Sequence, residues 1–129
     1  MSSRPTVSIL VVSYQTKDIL RDCLRSIERE VALPHEVIVV DNASTDGSAE
    51  MVAREFPVMR LLANTTNVGF SPANNQAMAM AQGQLLLLLN PDTVVLPGSI
   101  GTWVKRHTAA GATISGPRLL NPNGDLQVS

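Results

Sequence analysis

At 129 residues, with 44% hydrophobic and 16% charged side chains, the chain is long enough for one domain with a real core. Ten Lys and Arg against eleven Asp and Glu give a net charge of -1, which leaves no basic field for nucleic acid and no polybasic stretch for anionic lipid. The single cysteine, Cys23, excludes an internal disulfide and fits a reducing compartment.

Met1 to Thr6 is short and polar, neither a signal peptide nor a membrane anchor. Val7 to Val12 is a β-branched apolar run that predicts a buried first strand. Lys17 to Glu30 carries Ile19, Leu20, Cys23, Leu24 and Ile27 on one helical stripe, so Cys23 is assigned to core packing. Glu36 to Val40 predicts a second strand. Asp46 to Phe56 predicts a short helix that Pro57 ends, with Asp46 as its N-cap. Val58 to Ala63 reads as the third strand, and Ala73 to Gln82 as a helix with Gly83 near its C-terminal end. Leu85 to Leu89 is a fully apolar run, far short of the roughly 20 residues that span a bilayer. It is expected to be a strand buried on both faces of a parallel sheet. Pro97 to Thr108 predicts a helix and Ala112 to Ser115 a last short strand.

Strand and helix alternate, which predicts an α/β fold: a mostly parallel, Rossmann-like sheet with helices on both faces, forming one domain over residues 1–129. The polar residues then collect just past the carboxyl ends of the strands, where open α/β sheets bind ligands. Ser13 and Tyr14 follow the first strand, Asp41 and Asn42 the second, Asn64 to Asn67 the third, and Asn90 and Asp92 the fourth.

Each of these groups carries an identifiable chemistry. Asp41 at a strand end is suited to accept hydrogen bonds from a base imide or a ribose hydroxyl, whereas Asp41 to Ser48 as a whole also reads as a well-capped loop. Tyr14, the only tyrosine, either stacks on a base or covers the sheet edge. Residues 64–75 contain four asparagines, suited to sugar hydroxyls and equally to turns and caps. No G-x-G-x-x-G follows the first strand and no G-x-x-x-x-G-K-[ST] occurs, so phosphates need another counter-charge. Asp92 is the candidate to hold a divalent cation, Mg²⁺ or Mn²⁺, together with phosphate oxygens. One carboxylate is a weak site alone, so metal affinity should depend on the nucleotide. His35 and His107 lack metal-ligand spacing to a partner and are assigned surface or structural roles.

These residues match a family in four segments and in order. Val7-Ser8-Ile9-Leu10-Val11-Val12-Ser13-Tyr14, the stretch from Val37 through Asp41-Asn42-Ala43-Ser44-Thr45-Asp46-Gly47-Ser48, Asn67-Val68-Gly69-Phe70, and Leu88-Leu89-Asn90-Pro91-Asp92 together resemble the amino-terminal, nucleotide-sugar-binding part of an inverting family 2 glycosyltransferase of the GT-A fold. Gly116-Pro117-Arg118-Leu119-Leu120-Asn121 continues the likeness, which covers nearly the whole chain. The Asn-Pro-Asp form is similar to the rhamnosyltransferase-like branch, which uses UDP- or dTDP-sugars. The resemblance implies that Tyr14 and Asp41 hold the base with Ser13 beside it, and that Asn67 and Asn75 shape the sugar-phosphate pocket. It makes Asp92 the metal ligand of a D-x-D-type motif, whose first position is here Asn90, a neutral ligand or ribose contact. Gln15 stands where an asparagine is common, and Pro72 where small residues are usual; neither departure should abolish nucleotide binding.

The same likeness implies inverting transfer to a polysaccharide, lipid-linked or protein acceptor in bacterial cell-envelope biosynthesis, in the cytoplasm or at the inner face of the membrane. The chain stops at Gln127-Val128-Ser129 straight after the turn-rich residues 121–125, and is expected to be truncated before the acceptor-binding region. The catalytic base is therefore expected beyond Ser129, and Asp125 reads as a turn former. Apolar surface left uncovered is expected to drive a homodimer. The alternative is a stand-alone nucleotide-sugar-binding or regulatory module without transferase activity. A receiver-like signalling domain would need an acidic cluster after the first strand, where Ser13-Tyr14-Gln15 has none.

Overall fold

The computed structural model describes residues 5–110, 118–120 and 126–128. Elements alternate as β1 (Val7–Ser13), α1 (Lys17–Glu30), β2 (His35–Asp41), α2 (Ser48–Glu55), β3 (Arg60–Ala63), α3 (Phe70–Met80), β4 (Leu85–Leu89) and α4 (Ser99–Ala110). Two short strands follow, β5 (Arg118–Leu120) and β6 (Leu126–Val128), which pair antiparallel with each other. The expected strand over 112–115 lies outside the described residues.

The main sheet is parallel, in the order β3-β2-β1-β4. The chain winds outward from β1 through β2 to β3, then returns to place β4 on the other side of β1. Right-handed crossovers put α1 and α2 on one face and α3 on the other. The direction of winding reverses between β1 and β4, so the carboxyl ends of these two strands flank the crevice where such sheets bind ligands.

Alternation along the strands divides the core. Val7, Ile9 and Val11 of β1, Val37 and Val39 of β2, and Leu87 and Leu89 of β4 meet the apolar stripes of α1 and α2, with Ile100 and Trp103 of α4. On the opposite face Leu10, Val12, Ile38 and Val40 meet Ala73 and Ala77 of α3. The small side chains that weaken the amphipathic signal of α3 let the helix lie close to the sheet.

Three expectations need correction. β4 is not buried on both faces: Leu86 and Leu88 are 40% and 42% exposed, because among the described residues β4 is an edge strand and they stand beyond the reach of α3. Register places them beside Ser8 and Leu10, on the α3 face. α3 begins at Phe70 rather than Ala73, for Pro72 sits in the first turn, where a missing N–H costs nothing. Gly83 does not cap α3, which ends at Met80 with Ala81 as its C-cap in extended geometry. It is the point of closest approach to β1: a Cβ there would meet the Ser8 amide nitrogen and hydroxyl at 2.6 Å.

That approach is fastened at the amino-terminal end of the sheet. The Ser8 hydroxyl accepts from the Gly83 amide at 2.8 Å and donates to Glu36. Glu36 also accepts from Arg60 and from the Gln82 amide. Burial pushes the Glu36 carboxyl up, but these donors outweigh it and hold it below the usual carboxylate range. Across the helices, Glu55 of α2 binds Arg21 and Arg25 of α1 at 3.0 and 2.8 Å.

Candidate functional site

β1 and β2 end in register, Ser13 beside Asp41, while β4 ends with Leu89 beside Val11. Strands in a sheet lie about 4.8 Å apart, so the ends of β2 and β4 flank β1 about 10 Å from each other. The residues following all three strands therefore share one edge, as the alternation predicted.

The loops after β1 and β2 are tied together. Asp41 is only 2% exposed, and its carboxylate organises its own loop: Oδ2 accepts from the Ser44 amide at 3.0 Å and Oδ1 from the Ser44 hydroxyl at 2.7 Å. The same hydroxyl accepts from the Gln15 amide at 2.8 Å. The Gln15 side chain donates to Thr45 Oγ1 and accepts from the Thr45 amide. Gln15 and Ala43 both hold positive φ, 54° and 64°, an unfavourable conformation for residues with a Cβ that the hydrogen bonds around the two loops over-determine. This staple holds Gln15 and so directs Tyr14, whose side chain stands 51% exposed at the end of β1. Ser13 is buried, its hydroxyl 2.9 Å from that of Thr16, so it supports the loop from beneath.

Asp46 is not the N-cap of α2, a position Gly47 takes in left-handed geometry; it stands one residue earlier and joins two helix starts. Oδ1 accepts from the Ser48 amide at the start of α2, and Oδ2 accepts from the Lys17 amide at the start of α1. Desolvation raises its pKa, yet the Ser48 hydroxyl and the amides of Lys17 and Ser48 win, leaving the carboxyl below its ordinary value. The positive ends of two helices meet there, which favours the anion further.

The asparagine-rich loop divides between structure and surface. Asn42, buried, accepts from the Asn64 side chain at 3.0 Å and donates to the Gly69 carbonyl at 3.1 Å. Asn64 and Gln76 exchange amide hydrogen bonds at 2.9 and 3.2 Å. Asn67 closes a local turn by accepting from the Gly69 amide at 2.9 Å, and Asn74 caps back onto the Phe70 carbonyl. Asn75 stands exposed in the second turn of α3.

Asn90 and Asp92 occupy the turn after β4, both exposed, closed by the Thr93 amide donating to the Asn90 carbonyl at 3.2 Å. None of the ion pairs among the described residues involves Asp92. Among those residues no group of three or more His, Cys, Asp or Glu comes together as a protein-only metal cage. The donor chemistry, one uncompensated carboxylate oxygen pair beside an amide, fits a hard cation that completes its shell with water and phosphate oxygens. Cys23 is fully buried under this turn, and desolvation pushes its thiol up to about 12, so it is no nucleophile. His35 is structural, its Nδ1 paired with the Leu33 carbonyl at 2.8 Å. The side chain of His107 and all of Asp125 lie outside the described residues.

The structure thus brings Ser13, Tyr14, Asp41, Asn90 and Asp92 to one edge, with Ser13 and Asp41 already engaged inside their loops. Sequence reasoning missed Gln15, Ser44 and Thr45 as the staple, and Asn42 with Asn64 and Gln76 as the bridge to α3. The density of asparagines signalled the second; nothing in the sequence signalled the first.

The chain belongs to glycosyltransferase family 2: the family model described as Glycosyl transferase family 2 matches residues 8–127. Its α/β sheet is that of the GT-A glycosyltransferases. Among its relatives is the succinoglycan biosynthesis protein ExoO of Rhizobium meliloti, 31% identical over 112 residues, covering 86% of this chain and 32% of that protein. The N-acetylglucosaminyl-diphospho-decaprenol L-rhamnosyltransferase of Mycobacterium tuberculosis is 29% identical over 136 residues, covering 94% of this chain and 43% of that one. The chain therefore spans less than half the length of either relative. Among solved structures it is similar to the mannosyltransferase PcManGT from Pyrobaculum calidifontis in complex with GDP-Man and Mn²⁺, with a TM-score of 0.73, 27% identity, and 89% of this chain against 35% of that one. S. aureus TarS 1-349 in complex with UDP-GlcNAc shares the fold at a TM-score of 0.70 and 23% identity, over 81% of this chain and 31% of that one.

Proposed function

We propose that this chain is the donor-binding part of an inverting glycosyltransferase and takes a UDP- or dTDP-sugar with a divalent cation, Mg²⁺ or Mn²⁺. The observation that carries the reading is the convergence of Tyr14, Asp41 and Asp92 on the three adjacent strand ends that flank the winding reversal. The Mn²⁺ and GDP-Man held by PcManGT support the metal and the nucleotide-sugar, and the mycobacterial rhamnosyltransferase supports a lipid-linked saccharide acceptor in cell-envelope synthesis.

In this reading Tyr14 offers its exposed ring to the base, and Asp41 uses the acceptor positions that Ser44 leaves open to receive the imide N–H. Asn67 and Asn75 line the side toward the sugar, and Asn90 contacts the ribose or the cation. Asp92 holds the cation, whose charge stabilises the departing diphosphate. The attacking hydroxyl belongs to the acceptor, and the base that deprotonates it is assigned to a carboxylate beyond Ser129. Among the described residues no helix is long and apolar enough to cross a membrane. A homodimer through the exposed leucines of β4 belongs to the same proposal.

Calorimetric titration of UDP and dTDP into the chain, repeated on Tyr14→Ala, tests the base site. Binding of either nucleotide that Tyr14→Ala weakens by about 1–3 kcal/mol, the worth of one aromatic stack on a base, supports the reading. Equal affinity in the two proteins would move the base away from β1.

A further inference from the structure

The Asn90–Asp92 turn follows β4, which among the described residues is an edge strand with β1 as its one neighbour. On its inner side the turn is closed by Thr93, and the chain that follows is tied to α1 by one buried hydrogen bond, from the Val95 amide to Ser26. The Asn90 carbonyl accepts from the Thr93 hydroxyl at 2.6 Å and from the Thr93 amide at 3.2 Å, and the Cys23 thiol stands 3.9 Å from the same oxygen. One turn further along α1, the Ser26 hydroxyl accepts from the Val95 amide at 2.9 Å and donates to the Cys23 carbonyl at 2.6 Å. Cys23, Ser26, Thr93 and Val95 are all buried.

Polar groups at this depth are costly unless paired. Apolar residues of the same volume would fill the space between α1 and the turn equally well. What hydroxyls add is direction, and here the bonds to Asn90 and Val95 end on the backbone of residues 90–95. A cation held by a single carboxylate, with at most the neutral Asn90 beside it, depends on the backbone of the turn for the position of Asp92. Partners one shell behind a ligand commonly change metal affinity by 10–100-fold.

We infer that Thr93, by closing the Asn90 carbonyl within the turn, and Ser26, by holding the Val95 amide from α1, fix the Asn90–Asp92 turn over Cys23 and position Asp92 for the diphosphate-bound cation. Ser26 and Thr93 are positioning residues, and the inference rests on the reading of Asp92 as metal ligand. α1 also carries Lys17, whose amide is held by Asp46 in the loop after β2. One helix therefore references both sides of the crevice, fixing the metal turn relative to the Asp41 loop.

The test titrates UDP and dTDP, each with and without Mn²⁺, into the chain and into Thr93→Val, Thr93→Ser and Ser26→Ala. Thr93→Val keeps the volume and removes the hydroxyl. The clamp predicts that it cuts the Mn²⁺-dependent gain in nucleotide affinity about ten-fold, leaves the Mn²⁺-free affinity unchanged, and that Thr93→Ser restores the gain. Ser26→Ala should move the gain in the same direction. Loss of Mn²⁺-dependent and Mn²⁺-free binding together would overturn the clamp in favour of a general loss of structure. A Thr93→Val protein with the full Mn²⁺ gain would overturn it and leave Asp92 as ligand. A parent chain whose nucleotide affinity ignores Mn²⁺ would remove the metal reading, and the clamp with it.

Discussion

Among the described residues, eighteen buried side chains form one continuous core on the face that α1, α2 and α4 cover, whereas six do so on the other face under α3, and Leu86 and Leu88 remain in solvent. The two faces also support the ligand edge differently. The thicker one reaches the chain just after the Asn90–Asp92 turn through the buried Val95–Ser26 hydrogen bond, and packs Cys23 beneath the Asn90 carbonyl. The thinner one reaches the Asn67–Gly69 loop through an amide relay, Asn42 to Asn64 to Gln76, whose members are half-buried beyond Asn42. Stability and the Asn90–Asp92 turn thus share one core, and the Asn67–Gly69 loop rests on the lighter one. That division leaves an apolar ledge where a partner surface has most to gain.

The sharpest way to break this comparison is to hollow the thicker core. Phe56 is fully buried beneath α2, with Arg25 5.1 Å from its ring centroid. Phe56→Ala should cost about 3–5 kcal/mol, read as a lower denaturant midpoint. A loss below about 1 kcal/mol would mean the core relaxes around the hole and is not the main source of stability.

Gly83 lies at the opposite end of the sheet from the ligand edge, where β1 and the chain entering β4 meet most closely. Gly83→Ala forces a Cβ into the Ser8 backbone and should cost about 1–3 kcal/mol by overpacking, with nucleotide binding retained in the protein that remains folded. Thermal unfolding and nucleotide titration on the same variant read both effects.

Asp46 joins the starts of α1 and α2. Asp46→Ala should cost about 1–2 kcal/mol, as for loss of a helix cap. The sign of its pH dependence follows from a folded pKa below the unfolded one. The unfolded chain binds the proton more tightly, so the contribution is complete above the unfolded carboxylate value of about 3.9 and is lost as pH falls through the lower folded value. Glu36 acts in the same direction. Acid unfolding of Asp46→Ala should therefore converge on that of the parent at the lowest pH, and a gap that stays constant with pH would remove the carboxylate's charge from the account.

The smallest effect on stability is expected on the ledge. Replacing Leu86 and Leu88 with Gln should change the unfolding free energy by less than about 1 kcal/mol, yet reduce self-association at high concentration in light scattering. A clean parent monomer at the same concentration would contradict the ledge as a dimer surface.

Much of this architecture was legible in the sequence, for reasons that particular residues display. β-Branched runs at 7–12 and 36–40 and the stripe of α1 signal strand and helix through local periodicity, and the termination of each strand at a polar residue marked the ligand edge in advance. The Leu85–Leu89 run misled, because a continuous apolar run cannot distinguish a central strand from an edge strand whose outer leucines await a partner. Pro72 misled by its general reputation, since its position within the first turn of α3 decides its effect. The Gln15–Thr45 staple and the Ser26–Val95 bond join residues 30 and 69 positions apart, and such pairs leave no periodic trace.

The central claim is that the edge after β1, β2 and β4 is a metal-assisted nucleotide-sugar site with Asp92 as its protein ligand. Titration of UDP and dTDP into Asp92→Ala, with and without Mn²⁺, tests it most directly. The account predicts a folded protein of parental stability, because Asp92 is exposed and outside the ion pairs among the described residues, that has lost the Mn²⁺-dependent gain in affinity and kept its Mn²⁺-free binding. An undiminished Mn²⁺ gain in Asp92→Ala would contradict it.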